Sequence, residues 1–252
     1  MNFLKSKRSW MAAPILWFCT LCLLVAIWAF SPCTEEWIKA YIDDDGHSFV
    51  EVVTIGFFVL EFFCIWLIPP MEPGKRRFFW QLDFSLITWI AVCRELDWHK
   101  AWINMEKISQ IPGASHGTPF KMRFLTNSAN PLADRLIVLL CFVVVIAVCG
   151  STLLYFIRRL VKGFFKLHPV CWTIGFLGGV TILIQVFDRM PSILNKKFHY
   201  VMDPSMSALF NILEEGQELL LPLFVILALT QAYFIYAEKP GDEEALAQYR
   251  AL

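Results

Sequence analysis

The chain has 252 residues, of which 57% are hydrophobic, 15% aromatic and 17% charged, against about 25% charged in an average soluble protein. Its 22 basic and 22 acidic side chains cancel, which removes the bulk attraction to phosphate on which nucleic-acid binders depend. An ordinary soluble domain and a nucleic-acid partner are both disfavoured, and the expectation is an all-α, polytopic bundle in a lipid bilayer.

Crossing roughly 30 Å of hydrocarbon takes about 20 mostly apolar residues, and six stretches qualify as candidates within a single membrane domain of residues 1–252. The first covers residues 14–30. Its apolar run is long for a signal core, and Phe30-Ser31-Pro32-Cys33 is neither a small-x-small cleavage site nor a good lipid-attachment box, so it reads as a retained anchor. The second covers 48–68. The third, beginning at Phe79, is short as an apolar run, but no Gly or Pro interrupts the chain between Phe78 and Ile111, so the helix is expected to continue to Ala101.

An outer loop follows over 102–130, with a breaker-rich segment from Ile111 to Pro119 that suits a surface loop or a lid. Asn130-Pro131, with Asp134 behind it, starts the fourth helix, whose apolar part is 136–157. The fifth, 169–187, contains Gly175 and Gly179, a small-residue spacing that lets another helix approach. The sixth covers 211–236. Asp203-Pro204-Ser205 offers an earlier helix start, giving a helix of about 50 Å that Pro222 kinks.

Basic residues set the orientation, because Lys- and Arg-rich short loops stay in the cytoplasm. Lys5, Lys7, Arg8, then Lys75 to Arg77, then Arg158, Arg159, Lys162 and Lys166, then Lys239 and Arg250 flank alternate ends. Glu35, Glu36 and Asp43 to Asp45 lie opposite. Both termini are therefore expected in the cytoplasm, and the pattern suits a bacterial inner membrane. Seven of the eight cysteines fall within the spans, where they serve as small apolar side chains. Cys33 and Cys93 fall near the outer surface, which permits a disulfide without arguing for one.

Ionisable residues at membrane level are costly unless paired or wet, and three groups stand out. In Arg94-Glu95-Leu96-Asp97-Trp98-His99-Lys100, a continued helix would put Glu95 and His99 on one face, with Arg94 and Asp97 also neighbours. In Glu214-Glu215-Gly216-Gln217-Glu218, three carboxylates crowd one sector and need compensation by water, protons, a basic residue or a cation. The plainer explanations are an interfacial helix end for the first group and the favourable dipole of an early helical turn for the second. The third group is Glu61 and Asp83, intramembrane acids that serve either an ion path or hydrogen-bonded packing.

Membrane-embedded zinc hydrolases of the alkaline ceramidase and adiponectin-receptor type use three histidines and an acidic residue, two of the histidines as H-x-x-x-H. Here His47, His99, His116, His168 and His199 include no such pair, and no characterised family is recognised. The leading functional expectation is an outer-leaflet site acting on or binding a lipid or amphiphile. Its candidate catalytic residues are Glu95, Asp97, His99, Glu214 and Glu218. Asp97, His99, Glu215 and Glu218 are candidate ligands for a divalent cation, and Arg94, Lys100, Lys121 and Arg123 are candidate substrate contacts. A small transporter or channel using Glu61 and Asp83, or a non-catalytic accessory subunit with an unidentified protein partner, are the alternatives.

Overall fold

The computed structural model describes residues 7–43, 48–68, 75–96, 103, 107–108, 110–114 and 122–237. Among the described residues there are helices and no strands. A short 3-10 segment, Lys7–Met11, leads into α1 (Ala12–Phe30), followed by α2 (Glu35–Tyr41), α3 (Phe49–Leu67), α4 (Lys75–Glu95) and α5 (Met122–Thr126). Then come α6 (Leu132–Phe165), α7 (Pro169–Phe198), α8 (Pro204–Glu218), α9 (Leu220–Ala232) and a final π turn, Tyr233–Ala237.

Among the described residues, five helical runs are long and apolar enough to cross a membrane: Arg8–Phe30, Phe49–Leu67, Leu132–Phe165, Pro169–Phe198 and Pro204–Ile235. Many of their large apolar side chains face outward, such as Phe63 at 55%, Leu140 at 63% and Leu154 at 77% exposure. A water-soluble monomer rarely shows apolar surface on that scale, whereas lipid is a suitable solvent for it.

The helix expected over residues 79–101 is present as α4 but is not one of these five runs. It starts among Lys75, Arg76 and Arg77 and carries Gln81, Asp83, Ser85, Arg94 and Glu95, too polar a set for an unaided span. It also stops earlier than expected, at Glu95, with Leu96 in a turn. The absence of Gly and Pro after Phe78 permits a longer helix without enforcing one.

Local chemistry explains most helix ends. Ser48 caps α3 reciprocally: its Oγ accepts from Glu51 N at 3.2 Å, and Ser48 N donates to Glu51 Oε2 at 2.9 Å. Asp203 caps α8 by accepting from Ser205 N at 3.1 Å, with Pro204 in the first turn and its φ already helical. Asn130 is buried and donates from Nδ2 to Phe124 O at 2.7 Å, which fastens α5 to the start of α6. All eight cysteines are free.

The chain divides into two compact units, residues 1–82 with 156–252, and residues 83–155. In the first, α7 packs against α9, α8 and α1, while α3 packs against α9. Ala13, Val180, Ile184, Leu220 and Phe224 form one core cluster, and Leu24, Ile42, Ile212 and Leu213 another. Buried Gln231 joins three elements: its Oε1 accepts from Thr173 Oγ1 at 2.8 Å and its Nε2 donates to Ser9 O at 3.0 Å. In the second unit, Ile103, Ile108, Ala114, Phe124 and Val138 form a small core, so the described part of the segment 102–130 is packed down.

Close helix approach falls at one of the two motif glycines and at two glycines outside the motif. A Cβ on Gly175 would meet the Phe164 ring at 2.7 Å, but one on Gly179 would meet nothing. The tightest places are Gly163 against Cys171 Sγ and Gly216 against Leu24 Cδ2. Gly216→Ala is expected to overpack the contact between α1 and α8 and to cost about 1–3 kcal/mol. Thermal unfolding in detergent checks this: the single variant melts lower, and Leu24→Ala in the same chain recovers part of the loss.

Candidate functional site

The most polar stretch within the described part of the sixth apolar run is the last turn of α8. Pro222 explains why α8 stops there. It has no N–H, so the carbonyl of Glu218, four residues earlier, loses its regular helical donor, and the proline ring crowds that carbonyl. The regular bonding is interrupted only at Leu219, whose φ of −57° and ψ of −27° stay helical and whose N–H is shared between Gln217 O and Glu215 O, and α9 resumes at Leu220. Pro222 thus coincides with a one-residue irregularity in a run, Pro204–Ile235, whose backbone stays helical through Leu219.

The break places Glu214, Glu215 and Glu218 at the C-terminal end of α8, not in its first turn. The helix dipole favours carboxylates only near a helix N-terminus, so it does not account for this group. Gly216 lets the turn sit directly on Leu24. Glu214 and Glu215 are half-buried, and Glu218 is 2% exposed. A carboxylate oxygen of Glu215 and one of Glu218 lie within 4.8 Å of each other, as their i,i+3 spacing on one helical face dictates. Gln217, between them, is 1% exposed, and its Oε1 has no hydrogen-bond partner among the described residues. A buried acceptor left without a donor costs about 1–3 kcal/mol.

These groups have one chemistry in common, since carboxylate and amide oxygens are all hard donors. Oxygen sets of this kind suit calcium, magnesium or manganese better than thiolate-preferring metals. The Glu218 backbone carbonyl, freed by Pro222, is a further oxygen of the same class.

The other candidate residues are distributed as follows. Glu61 is 4% exposed in the middle of α3 and belongs to the first unit. Glu95 ends α4 half-exposed, Arg94 beside it is exposed, and Arg123 is exposed on α5, all in the second unit. Asp83, also in that unit, accepts a hydrogen bond from Thr152 Oγ1 of α6. Asp97, His99, Lys100 and Lys121 lie outside the described residues. Because α4 ends at Glu95, the facing of Glu95 and His99 expected on one continuous helix is not provided by α4 itself.

Charge does not single out two further buried polar residues of the run Pro204–Ile235. Gln217 and Gln231 are uncharged amides flanked by apolar residues, and their significance comes from near-complete burial. An amide inside an apolar run is itself a usable sequence signal, because it too must find partners away from water.

No family profile, curated protein or solved structure matches this chain. Functional assignment therefore rests on the chemistry of its own residues.

Gln217→Met, which keeps side-chain length and removes the buried acceptor, is expected to stabilise the cation-free protein by about 1 kcal/mol. Thermal melts in a strong chelator measure it. A lower melting temperature for the variant would contradict the reading of Gln217 Oε1 as an unsatisfied acceptor.

Proposed function

We propose that this is a polytopic protein of a bacterial inner membrane with both termini in the cytoplasm. In this reading it has an outer-leaflet carboxylate site that binds a divalent cation and engages a lipid or amphiphile. The observation that carries the proposal is the pairing of Glu215 and Glu218 at a buried helix break beside the partnerless acceptor of Gln217. Two carboxylates so close together repel unless a proton, a basic side chain or a cation intervenes. A hard cation would neutralise both and also use the amide oxygen.

Glu214 is assigned to the same group. Glu95, Asp97 and His99 are proposed to complete it from the far end of the third predicted helix, on the ground that both stretches fall on the outer side by the basic-residue pattern. Arg94, Lys100, Lys121 and Arg123 are proposed contacts for the anionic part of an amphiphile. A bound divalent cation would supply Lewis acidity toward a phosphoryl or carbonyl oxygen. Glu215 and Glu218 would hold it, and the surrounding apolar surface would admit the lipid chain.

The hydrogen bond from Thr152 to Asp83 suits a packing role for Asp83, and Glu61 is sealed from solvent at 4% exposure. They favour this reading over a water-filled transport route.

Manganese titration of the purified full-length protein, followed by electron paramagnetic resonance, tests the site. The wild type is expected to bind about one ion, and Glu215→Gln and Glu218→Gln are each expected to weaken binding by tenfold or more. His99→Ala is expected to weaken it less, since carboxylates supply most of the donors. A folded Glu218→Gln protein with unchanged affinity would end the proposal.

A further inference from the structure

The outer end of α1 and the start of α8 flank an open surface cleft that none of these carboxylates enters. It has a volume of about 620 Å³ and is lined by Trp28, Ser31, Pro32, Cys33, Asp203 and Ser205 among others, all within the first unit. That volume lies within the range of small-molecule sites, about 300–1,000 Å³. The lining is mixed, with apolar walls and a few polar groups, as in sites that orient a small ligand.

Three observations specify the ligand chemistry. Trp28 is fixed in orientation: its Nε1–H donates to Ser205 O at 2.9 Å across 177 positions of sequence, which immobilises an aromatic ring in the wall. Asp203 is exposed and is committed to α8 through one oxygen, Oδ2, which accepts from Ser205 N. It forms no ion pair among the described residues, so its negative charge is available to the cleft. Cys33 adopts φ 50°, a left-handed conformation that a non-glycine residue takes only when its surroundings hold it. Its Sγ lies 3.1 Å from Ser31 Oγ and donates to Trp28 O at 3.6 Å, so the turn folds back and closes the wall.

An aromatic face and a carboxylate at one cleft are the two groups that recognise an ammonium ion, by cation–π attraction and by charge-assisted hydrogen bonding or ion pairing. An anion is disfavoured, because Asp203 already occupies the N-terminus of α8 with negative charge. The cleft also sits where α1 ends, at Phe30, and the end of a spanning helix lies at headgroup level.

We propose that this cleft binds an ammonium group, carried either by an aminophospholipid headgroup or by a free small amine. It shares the membrane placement of the preceding proposal and none of its carboxylates, so loss of cation binding at Glu218 leaves it standing.

The test uses full-length protein in a maltoside detergent and saturation-transfer NMR. Choline is the probe, and its neutral isostere 3,3-dimethylbutan-1-ol is the control. Choline is expected to bind and the isostere not. Asp203→Asn keeps a capping side chain and removes the charge, and Trp28→Leu removes the ring. Each is expected to weaken choline binding by about tenfold, equivalent to about 1.4 kcal/mol, while Glu218→Gln leaves it unchanged. Equal binding of choline and the isostere, or unchanged choline affinity in a folded Asp203→Asn protein, would overturn the proposal.

Mass spectrometry of co-purified lipid separates the two sources. Enrichment of phosphatidylethanolamine in wild type over Asp203→Asn identifies a lipid headgroup. Choline binding without such enrichment identifies a free amine, and the absence of both overturns the proposal.

Discussion

The missing N–H of Pro222 is the constraint on which the polar end of α8 depends. An otherwise continuous apolar helix would present regular backbone hydrogen bonds at this point and no reason to stop. Proline removes the donor for the Glu218 carbonyl, α8 ends, and α9 begins one residue later. The same turn contains Gly216, whose lack of a side chain allows α1 to press Leu24 against the backbone. A backbone break and a close helix contact thus coincide with Glu215, Gln217 and Glu218. Burial there is enforced by packing, and the cost of burying polar oxygens is what makes a cation a fitting occupant.

The surrounding packing serves the same end. Helix α7 is in contact with α1, α8 and α9, and Phe176 stands near both Trp17 and Phe224, with ring centroids 6.4 Å and 6.5 Å away. Gln231 shows how a polar group is accommodated when its partners are protein: both ends of its amide are used, by Thr173 and by the Ser9 carbonyl. Gln217 is buried to a similar degree with its Oε1 unused. The contrast between two amides in the same helical run distinguishes a structural tie from an acceptor open to a ligand.

Much of the fold was legible because local chemistry wrote it. The second apolar stretch, expected over 48–68, is α3 at Phe49–Leu67 because Ser48 and Glu51 form a reciprocal cap. The start of α8 follows Asp203-Pro204, and the interruption near Pro222 follows from proline geometry. The end of α4 was not legible, since Arg94 to Trp98 contains no residue that forbids a helix, and the polarity that sets α4 apart is spread thinly along it. Close-approach glycines were legible only in part: Gly175 of the motif meets Phe164 and Gly179 meets nothing, while Gly216 has no motif and meets Leu24. What decides is the side chain on the opposing helix, which spacing within one helix does not report. For the site, sequence located the acidic group but placed it early in a long helix, where the dipole offered a plain explanation. The break moves the group to a helix end and removes that explanation.

The central claim is that Glu215 and Glu218 together ligate a divalent cation through their carboxylates. Infrared difference spectroscopy of glutamate-labelled (carboxyl-13C) full-length protein, recorded between chelator-treated and calcium-loaded states, addresses those oxygens directly. The account predicts isotope-shifted changes in the carboxylate stretching bands of the wild type, lost in the Glu215→Gln, Glu218→Gln double variant. A spectrum without carboxylate change, or one identical in the double variant, would contradict it.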